Sequence, residues 1–313
     1  MRIGIDIMGG DYAPDQIVLG CFLARDQIPD SVELVLLGDK ESIIRTAEGN
    51  GFDVNKVSIV HTTEQILMED HPIKAFTIKT KSSIVQGFRM LRAGEIDSFC
   101  SAGNTGAMLV GSAQVITPIP GIIRPGIAAR IPNLHGKPGV LIDVGLNPDA
   151  KPDVLLQYGI LGKLYSTAMY NIENPSIGLV NIGSEDEKGN LIVKAAFQLM
   201  KESNDLNFLG NVEGNEFFTN PNIDVLVCDG FIGNIILKEA EGFYKLIIKR
   251  KIRDEFFEEF NFEHYGGTPI LGICKPVIVG HGISNDRAIK NMIFQSIKVV
   301  ESGLIDKIKS AIV

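Results

Sequence analysis

Ile96-Asp97-Ser98-Phe99-Cys100-Ser101-Ala102-Gly103-Asn104-Thr105-Gly106-Ala107-Met108 is the stretch on which the reading of the fold turns. An uncharged run, 98–102, stops at a glycine, and a helix-length segment, 105–115, follows at once. A run this short, bounded by turn residues, predicts a buried strand. The same pattern recurs along the chain. Runs 3–8, 33–37, 140–144, 176–182, 224–228 and 276–279 each lead into glycine or aspartate-glycine. Segments 42–50, 82–93, 152–170, 190–201, 234–251 and 288–302 have helix length. This alternation predicts an α/β protein whose largely parallel sheet is covered on both faces. Ligands of such sheets bind at the carboxyl ends of the strands, which is where these glycine-rich tails lie.

The chain of 313 residues has no low-complexity linker, so a single catalytic domain, 1–313, is expected. A weak internal repeat suggests two intertwined, related halves facing one cleft. Ile96-Asp97, Cys100, Gly103 and Gly106 match Ile223-Asp224, Cys228, Gly230 and Gly233, with identical Ile-Asp and Gly-x-x-Gly spacing and the cysteines off by one. A net charge of −8 weighs against nucleic acid as a partner, because duplex binding needs a basic face. The cysteines, Cys21, Cys100, Cys228 and Cys274, are far apart, so neither a redox pair nor a zinc motif is expected. Residues 98–123 carry no charge, yet Asn104, Gln114, Pro118 and Pro120 favour strand, turn and helix over a membrane span. The start of the chain lacks a secretory pattern, and a cytoplasmic location is expected.

Several loops carry chemistry. Ser101, Gly103, Asn104, Thr105 and Gly106 combine close backbone approach with a helix start, a pattern suited to an anion. Helix capping by Asn104 or Thr105 explains the same residues without a ligand. Asp229, Gly230, Gly233 and Asn234 form the matching loop, in which Asp229 acts as a base or binds a donor, or which is an ordinary tight turn with Asn234 as the cap. Lys188 and Asn190 follow the acids Glu185, Asp186 and Glu187, whose spacing fits no metal motif. His281 stands between two glycines at a strand end. Arg124 suits oxyanion contacts. No Gly-x-Ser-x-Gly elbow is present, so an acyl-serine enzyme is not indicated. Residues 243–264 place phenylalanines beside lysines and arginines. They read as an amphipathic core helix or as a docking surface for anionic lipid or an acidic carrier.

Taken in order, Met8-Gly9-Gly10-Asp11, the 101–106 loop, Arg124-Pro125, Asp143-Val144-Gly145, Lys188-Gly189-Asn190, Asp229-Gly230-Phe231, Tyr265-Gly266-Gly267 and His281-Gly282 resemble the bacterial phosphate acyltransferase (PlsX) family from the first strand to the last helix. The resemblance implies a three-layer α/β/α sandwich with a mainly parallel mixed sheet, related to phosphotransacetylase and to isocitrate and isopropylmalate dehydrogenases. It implies transfer of a fatty acyl group from acyl carrier protein to inorganic phosphate without metal or cofactor. A homodimer with peripheral membrane contact through 243–264 is implied as well. Asn104, Lys188, His281 and Asp229 are then the candidate catalytic residues. Gly9, Gly10, Asp11, Asp143, Asn147 and Ser284 join the substrate-binding candidates. The chain departs from the family pattern at Leu146, where alanine is usual, and at Ile283, where a small or polar residue is common; both bear on substrate preference. The competing readings are an acyl-coenzyme A-dependent phosphotransacylase and a non-catalytic membrane scaffold that binds acyl carrier.

Overall fold

From its first residues the chain alternates as expected. β1 (Arg2–Asp6) is followed by α1 (Asp15–Arg25), β2 (Glu33–Gly38), α2 (Lys40–Gly49), β3 (Ser58–His61), α3 (Pro72–Ile78), α4 (Ser83–Ala93), β4 (Ser98–Ser101) and α5 (Thr105–Gly111). Next come β5 (Gly126–Ile131), β6 (Gly139–Ile142), α6 (Pro152–Tyr170), β7 (Ser176–Val180), α7 (Leu191–Glu202), β8 (Asn207–Val212), β9 (Val225–Val227), α8 (Gly230–Lys249) and α9 (Glu255–Glu258). β10 (Gly267–Leu271), β11 (Val277–Gly280), α10 (Asp286–Glu301) and α11 (Leu304–Ile312) follow, and the computed structural model describes residues 1–312. The uncharged stretch 98–123 contains β4 and α5, and no described helix is long and apolar enough to cross a membrane.

The chain folds as two units. One comprises Met1–Pro118 and Phe262–Glu301; the other comprises Ile119–Asn261 and the residues from Ser302 onward. In the first, the strand order is β3-β2-β1-β4-β11-β10, all parallel except the antiparallel pair β10/β11. In the second it is β5-β6-β9-β7-β8, all parallel except the antiparallel pair β5/β6. With β10 and β11 placed ahead of β1, the first unit's strands β10, β11, β1, β2 and β4 match β5, β6, β7, β8 and β9 one for one, in neighbours and direction. The units are circular permutants of one plan, with β3 added to the first.

The repeat read from the sequence sits on equivalent elements, β4 and β9. At the entrance of each strand the aspartate performs the same task. Asp97 accepts from the N–H of Arg2 (2.7 Å) and Asp224 from that of Ser176 (2.9 Å). Their own N–H groups donate back to the carbonyls of Arg2 (2.8 Å) and Ser176 (3.2 Å). Each aspartate thus ties a central strand to the start of its neighbour.

Helices cover the sheet in groups. In the first unit α1 packs on α2 and α10, while α3, α4 and α5 pack together; in the second, α6 packs on α7 and α11. Strands buried on both faces are apolar almost throughout: Ile3, Ile5, Leu34, Leu36, Phe99 and Ile278 are wholly buried. Phe88 of α4 meets Phe99 of β4 edge to face at 5.3 Å. That contact needs Gly87 and Gly111, because a Cβ at either would strike a ring of the pair.

Candidate active site

Each unit presents three loops at the carboxyl ends of β1, β4 and β11, or of their counterparts β7, β9 and β6. All the site residues expected from the sequence lie on or near these loops except Arg124, which precedes β5.

In the first unit the turn after β1 and the loop after β4 meet backbone to backbone. A Cβ at Gly9 would lie 2.7 Å from both N and Cα of Gly103. Gly10 has φ +108, a conformation that favours glycine, and its neighbour Asp11 donates its N–H to the carbonyl of Gly282 (2.8 Å), bringing in the β11 loop. Ser101 is wholly buried; its Oγ donates to Asp6 Oδ2 (2.6 Å) and accepts from the N–H of Gly103 (2.9 Å). Asn104 caps α5, accepting from Ala107 N–H (3.0 Å), and its amide donates to the carbonyls of Leu67 (3.0 Å), Met68 (3.2 Å) and Asp70 (3.0 Å). Those bonds direct the Asn104 amide into the 67–70 segment. The N–H groups of Thr105 and Gly106 have no acceptor among the described residues. The His281 ring stacks on Phe262 at 4.9 Å, and its Nδ1 accepts from Ile283 N–H (3.3 Å). Ser284 Oγ is turned back onto the His281 carbonyl (2.6 Å).

In the second unit Asp143, wholly buried, organises the turn after β6. It accepts from the N–H groups of Ile127 (3.0 Å), Gly145 (3.3 Å), Leu146 (3.2 Å) and Asn147 (2.7 Å). Asn147 donates to the carbonyl of Pro125 (2.6 Å) and to Tyr158 Oη (2.7 Å), while its Oδ1 accepts from Arg124 (3.4 Å). Burial pushes the Tyr158 hydroxyl well up, so it stays neutral. Asp229 caps α8 through Ile232 N–H (2.8 Å). Burial raises its carboxyl above the ordinary range, opposed by the Ile232 and Phe231 N–H groups, and Asp149 and Asp143 push it up further. Gly230 and Gly233 pack on the Asp143–Asn147 turn, and a Cβ at Gly233 would overlap the Asp143 carbonyl oxygen. The repeat is therefore not exact in space. Gly103 precedes the cap Asn104, whereas Gly230 follows the cap Asp229, so the second helix starts earlier in its repeat, ahead of the expected 234.

Lys188 lies on the exposed loop after β7, 3.8 Å from Glu185, and Asn190 caps α7 through Val193 N–H (2.9 Å). Asn234 packs beside Gly145. The structure thus gathers Gly9, Gly10, Asp11, Ser101, Gly103, His281 and Ser284 in one cluster. It gathers Arg124, Asp143, Asn147, Asp229, Gly230, Gly233 and Asn234 in another. Sequence reading passed over Asp6, which ends β1 with 1% exposure. A carboxylate closing an otherwise apolar strand was the available signal.

α8 behaves differently from a core helix. Only Gly230 and Gly233 are buried on it, while Phe231, Ile235, Phe243 and Leu246 are 60%, 49%, 57% and 52% exposed. Beyond it Phe256, Phe260 and Phe218 form an edge-to-face cluster, and Arg130 pairs with Glu259 at 2.6 Å.

A family model described as "Fatty acid synthesis protein" matches residues 1–307. The chain is 41% identical, over its whole length and 97% of the relative's, to a protein named phosphate acyltransferase from Thermoanaerobacterium thermosaccharolyticum. In fold it is similar to a phosphotransacetylase from Streptococcus pyogenes, with a TM-score of 0.65 at 16% identity, covering 96% of this chain and 94% of that one. A branched-chain phosphotransacylase from Enterococcus faecalis gives a TM-score of 0.63 at 13% identity, covering 96% of this chain and 99% of that one. These likenesses agree with the α/β/α class expected from the sequence.

Proposed function

Because this chain belongs to the phosphate acyltransferase family, we propose that it carries a fatty acyl group from the thioester of an acyl carrier protein to inorganic phosphate, in the service of phospholipid synthesis. The family makes the chain an acyltransferase; the carrier thioester as donor is our assignment.

The observation that supports direct transfer best is the withdrawal of Ser101, Ser284, Cys100 and Cys228. Ser101 and Ser284 are buried and hydrogen-bonded. Burial pushes the Cys100 thiol up to about 12 and raises that of Cys228 well above its ordinary value. Against this, Thr105 is exposed, and its N–H and that of Gly106 have no acceptor among the described residues. Phosphate itself is then the nucleophile. One of its oxygens adds to the thioester carbonyl carbon, the C–O bond forms, and the C–S bond breaks. The thiolate leaves with the electron pair and takes up a proton. A thiol of intrinsic pKa ~8.5 needs little acid help, so the protein's task is to bind, align and stabilise the oxyanion.

In this assignment the Gly9–Gly10 turn and the loop from Gly103 to Gly106 hold phosphate, and His281 orders its proton. In the other unit, Arg124 and Lys188 are the cations offered to an anionic ligand. Asn104 acts through the 67–70 segment, and Asp143 and Asn147 act through the turn they build. The exposed apolar residues of α8 form a homodimer contact, and Lys245, Lys249 and Arg250 near its end meet an anionic membrane surface. Purified protein, acyl carrier thioester and phosphate, with hydroxylamine as the trap, should yield acyl hydroxamate in proportion to enzyme. Acyl-coenzyme A in place of the carrier should be the poorer donor. No hydroxamate from either donor would refute the reading.

A further inference from the structure

We infer that Asp6 is a positioning residue of the phosphate site: acting through Ser101, it locks the Gly9–Gly10 turn against the Gly103 loop in the arrangement that receives the oxyanion. The inference rests on the phosphate-transfer reading and adds a residue to it.

Asp6 ends β1 with 1% exposure, and among the described residues it has no ion pair. Burying a carboxyl without a cation is costly, and strand formation does not call for one here, since Ile3, Ile5 and Ile7 supply the apolar contacts. What the carboxyl does is join two loops. Oδ1 accepts from Met8 N–H (3.0 Å) in its own turn. Oδ2 accepts from Ser101 Oγ (2.6 Å), and that same Oγ accepts from Gly103 N–H (2.9 Å). The chain Gly103 N–H, Ser101 hydroxyl, Asp6 carboxyl therefore runs from the β4 loop to the β1 turn.

The contact it secures tolerates no side chain. A Cβ at Gly103 would lie 3.0 Å from Gly9 Cα, and one at Gly9 would collide with Asp6 Oδ2 itself. Two glycine turns held at backbone contact by a buried carboxyl form a rigid wall, and rigidity is what a site that works by alignment requires. Burial also raises the Asp6 carboxyl, with the Ser101 and Ser83 hydroxyls and the Met8 and Gly9 N–H groups opposing. The raised value lessens the negative charge presented to an anion.

The test uses the full chain with acyl carrier thioester and inorganic phosphate varied in turn. Asp6→Asn and Ser101→Ala are each expected to raise KM for phosphate about tenfold while KM for the thioester stays within about twofold. The double variant should be no worse than the singles, because one link is broken in each case. Ser296→Ala is the control. It removes a buried hydroxyl pair with Ser98 (2.6 Å) at the other end of β4. It should lower Tm and leave the phosphate KM alone. Should Asp6→Asn fail to fold, Ser101→Ala, which cuts the link and leaves the carboxyl, reads the same split. An active wild-type enzyme whose variants keep the phosphate KM, or raise both KM values together, overturns the inference. A wild-type enzyme that forms no acyl phosphate overturns the functional reading, and the inference with it.

Discussion

Gly233→Ala sets two effects of opposite sign against each other on one helix. Glycine inside a helix costs about 1 kcal/mol relative to alanine, so propensity alone predicts stabilisation. The structure predicts the reverse. A Cβ at 233 would overlap the Asp143 carbonyl oxygen and lie 2.9 Å from the Asp143 carbonyl carbon and 3.0 Å from Cys228 Sγ. Those first two atoms are backbone, held by the turn that Asp143 organises, and cannot swing aside as a flexible side chain would. Overpacking of this kind costs ~1–3 kcal/mol, and immovable backbone puts it near the upper end. The net expectation is a loss of ~2 kcal/mol, which for a chain of this size lowers Tm by ~3 °C. Gly49→Ala in α2 is the matched comparison, since a Cβ there meets nothing within 4 Å. It should leave Tm unchanged or raise it slightly. Urea unfolding followed by circular dichroism measures both. If Gly233→Ala proved as stable as the wild type with turnover intact, the backbone contact between α8 and the Asp143 turn would be unimportant and the argument built on it wrong.

Other consequences follow from the same geometry. Asp143→Ala leaves the N–H groups of Ile127, Gly145, Leu146 and Asn147 without their acceptor, at an expected cost of ~3–5 kcal/mol by urea unfolding. Asn104→Ala removes the ties to Leu67, Met68 and Asp70. Limited proteolysis should then cut within 62–71 at least several-fold faster, and turnover should fall with it. The raised Asp6 carboxyl carries a pH signature. Below the unfolded value of ~3.9 both states hold the proton; above it the unfolded state ionises first, so this group's contribution to stability is lost as pH rises through the folded value. Unfolding free energies compared across pH should therefore show a smaller decline on that limb in Asp6→Asn than in the wild type, and an identical slope would contradict the raised value. Lys188→Ala should lower turnover about tenfold or more without moving Tm by more than about a degree, since among the described residues its one ion pair is a 3.8 Å contact with exposed Glu185.

The glycine-ended runs proved legible because both-face burial leaves an apolar signature that survives without context. Elements passed over lack it for identifiable reasons. β5 carries Arg130, β8 carries Gly210 and two asparagines, and β10 carries Pro269. α1 is apolar nearly all round, so it shows no amphipathic period. α8 began earlier than expected because Asp229 caps it and Gly230 enters the first turn. The apolar side of residues 243–249, one of whose readings was a core helix, is left exposed by its own unit.

From its residues alone the chain established an alternating α/β plan, the loops at the strand ends, the family and hence the class of reaction. A glycine followed by a cap is a local instruction, written where it acts. Hydrogen-bond partners are not. That Asn104 spends its amide on Leu67, Met68 and Asp70, that Asp143 gathers backbone N–H groups from two segments, and that Asp6 joins the β1 turn to the β4 loop are relations between residues from 16 to 95 positions apart. So is the permuted match between the two units, which depends on which strands pair and not on their order along the chain. Only the folded arrangement decides such pairings, because a donor chooses its acceptor by distance and direction in space.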